Sequence, residues 1–227
     1  LSNAATLYGW GGISSDLNAE GTLDGRGFST GTVGTLTIQG SAFFGGSSLT
    51  RMKAGVSRDK IEINGDLALD GTLQVSLVPG TGFGRYRLIS ATGEISGSMD
   101  LTGVPGGTTA KLSTSLAGGV DLVIDDNDED GLPDSWETAN FGNLTQTPQG
   151  DKDADGTSNL AEYRLGLNPN SGASLFRATV SGHTLTWPSA SGLVFTVKRS
   201  LTLQSGSWQT IGSVTGGSLD LADIIEF

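Results

Sequence analysis

The chain has 227 residues, a formal net charge of −11 and no cysteine. The absence of cysteine excludes disulfides, thiolate zinc sites and a cysteine nucleophile. No basic stripe is present to neutralise phosphates, so a nucleic-acid partner is not expected, and no run of about 18 apolar residues predicts a membrane span. The chain begins at Leu1 rather than Met, as expected of a processed chain or an excised piece.

The first 124 residues have the pattern of short β-strands separated by glycine-rich corners. They contain 24 of the 36 glycines, and apolar residues alternate with polar ones in several short runs. Leu73, Val75 and Leu77 fall on one face of a strand in this pattern, as do Ile61 and Ile63. No window shows sustained helical periodicity. We therefore predict a glycine-rich β-solenoid for residues 1–124, with an antiparallel β-sandwich as the alternative.

One stretch of this region resembles a known family. The sequence "DKIEINGDLALDGTLQVSLVPGTGFGRYRLISATGEISGSM", residues 59–99, is similar to the last rungs of autotransporter-type passenger β-helices and their associated β-strand repeats. The resemblance extends over about residues 34–124. It implies a β-helical architecture and a cell-surface setting, and it does not imply any particular activity.

Most of the negative charge lies in residues 125–170. This segment contains eleven acidic and two basic side chains, whereas the rest of the chain contains thirteen acidic and eleven basic ones. Seven of the acidic residues fall within "DDNDEDGLPDSWE", residues 125–137. Two carboxylates about 5 Å apart repel by roughly 3 kcal/mol at an effective dielectric of about 20. The cluster therefore requires either full solvation or a bound cation.

The spacing of the acidic residues favours the cation. The calcium-loop pattern D-x-[DN]-x-[DN]-G-x5-E occurs twice, and the second copy starts 25 residues after the first. In such a loop alternate oxygens turn inward around a hard cation, the glycine permits a sharp bend, and a glutamate at position 12 completes the shell. We therefore predict two Ca²⁺ sites, with a backbone carbonyl as the ligand at position 7. The predicted ligands are Asp126, Asp128, Asp130, Leu132, Asp134 and Glu137 in the first loop, and Asp151, Asp153, Asp155, Thr157, Asn159 and Glu162 in the second.

The two loops differ from ordinary EF-hands in the segments that precede them. "GGVDLVI", residues 118–124, has the pattern of a strand, and glycine and proline interrupt the segment before the second loop. Only the segments that follow the loops, 133–141 and 158–167, are predicted to be helical. This form resembles bacterial thrombospondin type 3-like calcium repeats and, more distantly, dockerins, over residues 125–169. The usual "GTDP" ending of that family is replaced here by "LNP", so no ligand is assigned there.

Residues 171–227 again show the alternation of apolar and polar residues that is typical of β-strands. The sequence "FRATVSGHTLTWPSASGLVFTVKRSLTLQSGSWQTIGSV" resembles the small C-terminal β-sandwich that follows such calcium repeats in secreted bacterial proteins. Those modules usually have one more strand than "GGSLDLADIIEF" provides. We therefore predict an incomplete sandwich, whose missing strand comes either from further chain or from another copy by strand donation.

Three features bear on whether the chain is an enzyme. "GFSTG", from Gly27 to Gly31, matches the hydrolase pattern G-x-S-x-G, but no strand–turn–helix pattern surrounds it. The only histidine, His183, alternates onto the face of Leu185 and Trp187, which indicates a structural role. A β-helix that binds calcium also resembles the pectate lyases, but their metal lies in the solenoid groove. We therefore predict no enzymatic activity.

Together these patterns predict a secreted or cell-surface structural module in three parts. The expected role is that of a stalk, part of an adhesin, or a subunit of a self-assembling fibre, in which Ca²⁺ makes the joint between domains rigid. The expected partners are other copies of the chain or a surface glycan or protein. The alternative is a dockerin-like or carbohydrate-binding module attached to a secreted protein.

Overall fold

A computed structural model describes residues 1–2, 5–25, 33–189 and 192–221. The chain divides into two compact units, Leu1–Asp134 and Ser135–Phe227. The described residues are mainly β, as the sequence predicts, and contain two short helices that follow the acidic loops.

The first unit is built from short strands. In its described part the strands are β1 Thr6–Tyr8, β2 Gly11–Ile13, β3 Leu17–Ala19, β4 Thr22–Asp24, β5 Thr35–Ile38, β6 Ala42–Phe44, β7 Leu49–Ala54, β8 Lys60–Ile63, β9 Leu67–Leu69, β10 Thr72–Leu77, β11 Gly84–Ala91, β12 Ile95–Gly97, β13 Asp100–Thr102, β14 Ala110–Ser113 and β15 Gly119–Ile124.

The strands stack into a β-solenoid with three faces. From β2 to β13 the chain visits a six-stranded, a four-stranded and a five-stranded sheet in turn and then repeats this order. The sheet orders are β14-β15-β11-β8-β5-β2, β12-β9-β6-β3 and β1-β4-β7-β10-β13. Successive layers pair in parallel. The prediction of a solenoid is therefore confirmed, and the alternative of an antiparallel sandwich is wrong for this region.

Apolar columns inside the coil hold the layers together. Leu36 pairs with Ile61 and Ile61 with Ile89, so three large side chains stack in one column of the six-stranded sheet. All three are at most 4% exposed, and Leu73 and Val75 are buried in the same way. Each such side chain contributes about 1.5–3 kcal/mol of hydrophobic free energy. The alternation read from the sequence thus corresponds to the inward face of the solenoid.

An antiparallel hairpin continues the six-stranded sheet at the C-terminal end of the solenoid. β15 pairs antiparallel with both β11 and β14. All six residues of β15 are buried, including Asp121, whose side chain is 1% exposed. Arg85 Nη1 lies 3.1 Å and Arg87 Nε 2.5 Å from the carboxylate of Asp121. The predicted strand before the first acidic loop is therefore confirmed, and it ends at Ile124.

Two helices follow the acidic loops, as predicted. Helix α1 is Asp134–Phe141 and helix α2 is Asn159–Leu165. Ser158 caps α2 by accepting a hydrogen bond from the N–H of Ala161 (3.4 Å), and Gly166 ends it in the left-handed conformation, with φ of 68°. In the described part of the chain, no helix has both the length and the apolar character needed to cross a membrane.

The described residues after 171 form two small antiparallel sheets. One has the order β16-β17-β20 and the other pairs β18 with β19. Their strands are β16 Thr179–Ser181, β17 Thr184–Thr186, β18 Val194–Arg199, β19 Gln209–Thr215 and β20 Ser218–Asp220. The ring of Phe195 stacks on Phe176 and meets Trp187 edge to face. β20 lies within "GGSLDLADIIEF", so part of that stretch does form a strand. Residues 222–227 lie outside the described residues, so the predicted lack of one further strand and the strand donation stay predictions.

Candidate metal centre

The two acidic loops share one backbone conformation. At position 4, Glu129 and Ala154 have φ of 62° and 63°, and at position 6, Gly131 and Gly156 both have φ of 94°. Glycine adopts such positive φ values without steric cost, whereas other residues pay roughly 1–2 kcal/mol. Because the two loops differ in sequence but repeat both values, the chain builds the same loop shape twice.

Three hydrogen bonds also recur at equivalent positions. The aspartate at position 1 accepts from the N–H of position 6, the aspartate at position 5 accepts from the N–H of position 7, and the N–H of position 9 donates to the carbonyl before the loop. In the first loop these bonds are Gly131 to Asp126 (3.3 Å), Leu132 to Asp130 (2.8 Å) and Asp134 to Asp125 (2.8 Å). In the second loop they are Gly156 to Asp151 (2.8 Å), Thr157 to Asp155 (2.7 Å) and Asn159 to Gly150 (2.8 Å).

The predicted carboxylate ligands of the first loop form one cluster. Oxygens of Asp126, Asp128 and Asp130 lie within 4.8 Å of one another, and oxygens of Asp128, Asp134 and Glu137 form a second group of the same size. Asp128 belongs to both groups. Glu137 is fully buried and Asp134 is 6% exposed. The Oδ1 of Asp134 accepts from the N–H of Asn127 (2.8 Å), whereas its buried Oδ2 accepts no hydrogen bond.

The second loop brings its three aspartates together and buries two acceptors beside them. Oxygens of Asp151, Asp153 and Asp155 lie within 4.8 Å of one another, and Glu162 falls outside that group. Asn159 and Glu162, both on α2, are fully buried. Neither carboxylate oxygen of Glu162 accepts a hydrogen bond, and the same is true of Asn159 Oδ1. Burial of an acceptor that receives no hydrogen bond costs free energy. A cation bound to these oxygens would offset that cost.

The protonation of these carboxylates reflects their crowding. Burial, followed by repulsion from Asp153, Asp155 and Asp151, raises the pKa of Glu162 to about 7. In the first loop burial raises the pKa of Asp126 and of Asp130. The hydrogen bonds that these carboxylates accept from the N–H groups of Gly131 and Leu132 oppose this shift. The side-chain atoms available as metal ligands are carboxylate oxygens in the first loop, and carboxylate and amide oxygens in the second. Oxygen ligands of this kind suit Ca²⁺.

The residues at position 7 are placed as the loop pattern requires. Leu132 is fully buried and Thr157 is 8% exposed. Their N–H groups donate to the aspartates at position 5, which fixes the peptide group that precedes each of them. Their role as carbonyl ligands stays a prediction.

One residue of the first loop has a role that the calcium pattern did not reveal. Glu129 stands at position 4, which carries no ligand, and its carboxylate contacts Arg85, Lys111 and Ser115 of the solenoid end. Its pKa is lowered well below the usual range because the hydrogen bonds from Lys111, Ser115 and Arg85 outweigh the opposing effect of burial. The only sequence signal was an acidic residue in excess of what the ligand positions need.

Of the residues with a possible catalytic pattern, the structure describes only His183. Gly27 to Gly31 lie outside the described residues. His183 is exposed in the turn between β16 and β17, so its predicted place on the strand face of Leu185 and Trp187 is wrong. Its carbonyl accepts a hydrogen bond from the N–H of Leu221 (2.7 Å).

Comparison with known proteins gives one informative similarity. The chain is 40% identical over 100 residues to the Adhesin BmaC autotransporter of Brucella suis biovar 1 (strain 1330). The match covers 40% of this chain and 3% of that protein, so the chain spans a small part of its relative's length. The chain matches no protein-family profile and no solved structure. The similarity to an autotransporter adhesin agrees with the β-solenoid described above.

Proposed function

We propose that this chain is a non-enzymatic, calcium-binding structural part of a secreted or cell-surface protein. Two Ca²⁺ ions, one in each acidic loop, hold residues 125–170 in a rigid conformation. The observation that carries this proposal is the repeated loop, with the same φ values and the same hydrogen bonds in two different sequences. The three acceptor oxygens of Asn159 and Glu162 that are buried without donors support the second site in particular.

The charge balance of the second loop also supports a bound cation. In the described part of the chain, no lysine or arginine forms an ion pair with Asp151, Asp153, Asp155 or Glu162. The three aspartates lie within 4.8 Å of one another and also repel Glu162, and a divalent ion would compensate this charge. Extracellular calcium modules bind with dissociation constants of about 0.1–1 mM, which matches a surface protein and not a resting cytosol.

The proposed location and role follow from the solenoid. The relative found by comparison is named as an autotransporter adhesin, and residues 34–124 resemble the end of an autotransporter-type passenger β-helix. A rigid coil of parallel strands suits a stalk, an adhesin part or a fibre subunit, because each layer covers the apolar face of its neighbour. Other copies of the chain or a surface glycan or protein are the partners that this role implies.

The alternative, a dockerin-like module, is less well supported. A dockerin presents two similar helical faces to its partner. Here the ring of Trp136 on α1 contacts both Phe141 (5.3 Å between centroids) and Tyr163 on α2 (5.6 Å), so these aromatic side chains pack against each other. The carbohydrate-binding alternative has no comparable observation in its favour.

A calorimetric titration of the whole chain with CaCl₂, combined with size-exclusion chromatography, tests the proposal. We expect two Ca²⁺ per chain, with MgCl₂ at the same ionic strength as the control. Magnesium prefers stricter octahedral geometry and keeps its water, so it should not saturate the loops at the same concentration. A chain that takes up no Ca²⁺ up to several millimolar, or takes up Mg²⁺ equally well, would contradict the proposal.

A further inference from the structure

Glu129 connects the first calcium loop to the end of the solenoid, and alanine stands at the equivalent position of the second loop. The carboxylate of Glu129 pairs with Arg85 on β11 and with Lys111 on β14, where the Lys111 Nζ–Oε1 distance is 2.7 Å. Ser115 donates to the same carboxylate. The side chain of Glu129 is 16% exposed, so these contacts are largely shielded from water. We call this set of contacts the Glu129 tether.

The tether also holds the backbone of the loop. Lys111 Nζ donates to the carbonyl of Asn127 at position 2 (2.6 Å), and the N–H of Asp125 donates to the carbonyl of Thr109 (3.0 Å). Arg85 is itself fixed by Asp121 on β15. Asn127 and Glu129 of the loop, and Asp125 just before it, are therefore all bound to residues of the solenoid end.

The second loop differs from the first at position 4, where the first has Glu129. Ala154 occupies position 4 with the same left-handed φ, and its side chain cannot form an ion pair. The three aspartates of this loop accept hydrogen bonds from backbone N–H groups of the loop itself. No basic side chain compensates their charge in the described residues.

We infer that Glu129 is a positioning residue, and that the Glu129 tether holds the first loop in its metal-binding shape before Ca²⁺ arrives, whereas the second loop is ordered by Ca²⁺. This inference rests on the proposed function. A loop that is already ordered pays less conformational entropy on binding, so the first site fills at lower Ca²⁺ concentration than the second. Substitution of a residue that orients metal ligands in this way typically lowers metal affinity by about 10- to 100-fold.

The sharpest test is Lys111→Gln, because two explanations predict opposite signs. If charge alone mattered, removal of a cation beside an acidic loop would tighten Ca²⁺ binding. If the tether positions the loop, the same change weakens binding at the first site by about tenfold or more. Glu129→Gln, which removes the other half of the ion pair while keeping the shape of the side chain, is expected to weaken the first site as well. The charge-matched controls are Lys60→Gln and Glu62→Gln on the exposed face of β8.

The readout is amide hydrogen exchange of the full-length chain across a CaCl₂ titration, in which each loop reports separately. In chelator, the wild-type N–H groups of Gly131 and Leu132 should exchange more slowly than those of Gly156 and Thr157. Both variants should abolish this difference and shift the first midpoint to higher Ca²⁺, while the second midpoint stays unchanged and shows that the chain is folded. Equal exchange of the two loops in wild-type chelator, or an unchanged or lower first midpoint in Lys111→Gln, would overturn the inference alone. If neither wild-type loop responds to Ca²⁺, the proposed function itself fails.

Discussion

At the scale of single residues, Glu162 offers the clearest test of the second site. It is fully buried at position 12, and neither of its oxygens accepts a hydrogen bond. Glu162→Gln keeps the volume but removes the charge and one of the two carboxylate oxygens. We expect calorimetry to give one Ca²⁺ per chain in place of two. Glu94→Gln, on an exposed corner of the solenoid, should retain two. If Glu162→Gln still bound two ions with wild-type affinity, Glu162 would not be a ligand.

The pKa of Glu162 also predicts how stability depends on pH. Burial and three aspartates raise this pKa from 4.5 to about 7, so without metal the folded state keeps its proton when the unfolded state has lost it. In chelator the free energy of unfolding therefore decreases as pH rises from 4.5 towards 7, and Ca²⁺ should reverse this slope because it binds the ionised form. Amide exchange of α2 between these pH values measures the effect. Glu162→Gln should lose most of the slope in chelator, and an identical slope in that variant would contradict the assignment.

At the scale of elements, local alternation was enough to predict the solenoid but not its end. Leu73 and Val75 point inward as their spacing indicates, because a strand inside the coil has one buried face. In β15 the same alternation would place Asp121 in water, yet it is 1% exposed. Its partners Arg85 and Arg87 lie 36 and 34 residues away, so only the tertiary fold shows that the charge can be buried. Glu129 was missed for the same reason, whereas the clustering of Asp126, Asp128 and Asp130 was predictable because their spacing is local.

The corners of the solenoid depend on individual glycines. Gly97, at the end of β12, has φ of 77°, and a Cβ there would lie 2.1 Å from the carbonyl oxygen of Leu69 in the layer below. We expect Gly97→Ala to lower the free energy of unfolding by about 1–2 kcal/mol from the left-handed backbone alone, and further because the layers must separate. Chemical denaturation measures this. Gly82→Ala, with no atom within 4 Å of the new Cβ, is the control and should change stability little. Equal stabilities of the two variants would show that the layers tolerate the shift.

At the scale of the whole molecule, the uneven distribution of charge predicts where removal of Ca²⁺ has its effect. The eleven acidic residues of 125–170 are a small part of the chain, while the solenoid is held by apolar columns that need no metal. Removal of Ca²⁺ should therefore loosen the second acidic loop, residues 151–162, and leave the solenoid folded. At a Ca²⁺ concentration one hundred times the dissociation constant, each site contributes roughly 2.7 kcal/mol to the bound conformation.

Limited trypsin digestion of the whole chain tests this difference between segments. Lys152 is exposed at position 2 of the second loop, the loop without the Glu129 tether, so chelator should make the bond after Lys152 the fastest to be cut. Saturation with Ca²⁺ should slow that cut by up to about 100-fold, because cleavage follows the population of the open loop. Lys53 and Lys60 on β7 and β8 supply the internal control, since bonds after them should be cut slowly and equally with and without Ca²⁺. Cleavage after Lys152 at the same rate in Ca²⁺ and in chelator would show that the loop does not depend on the metal.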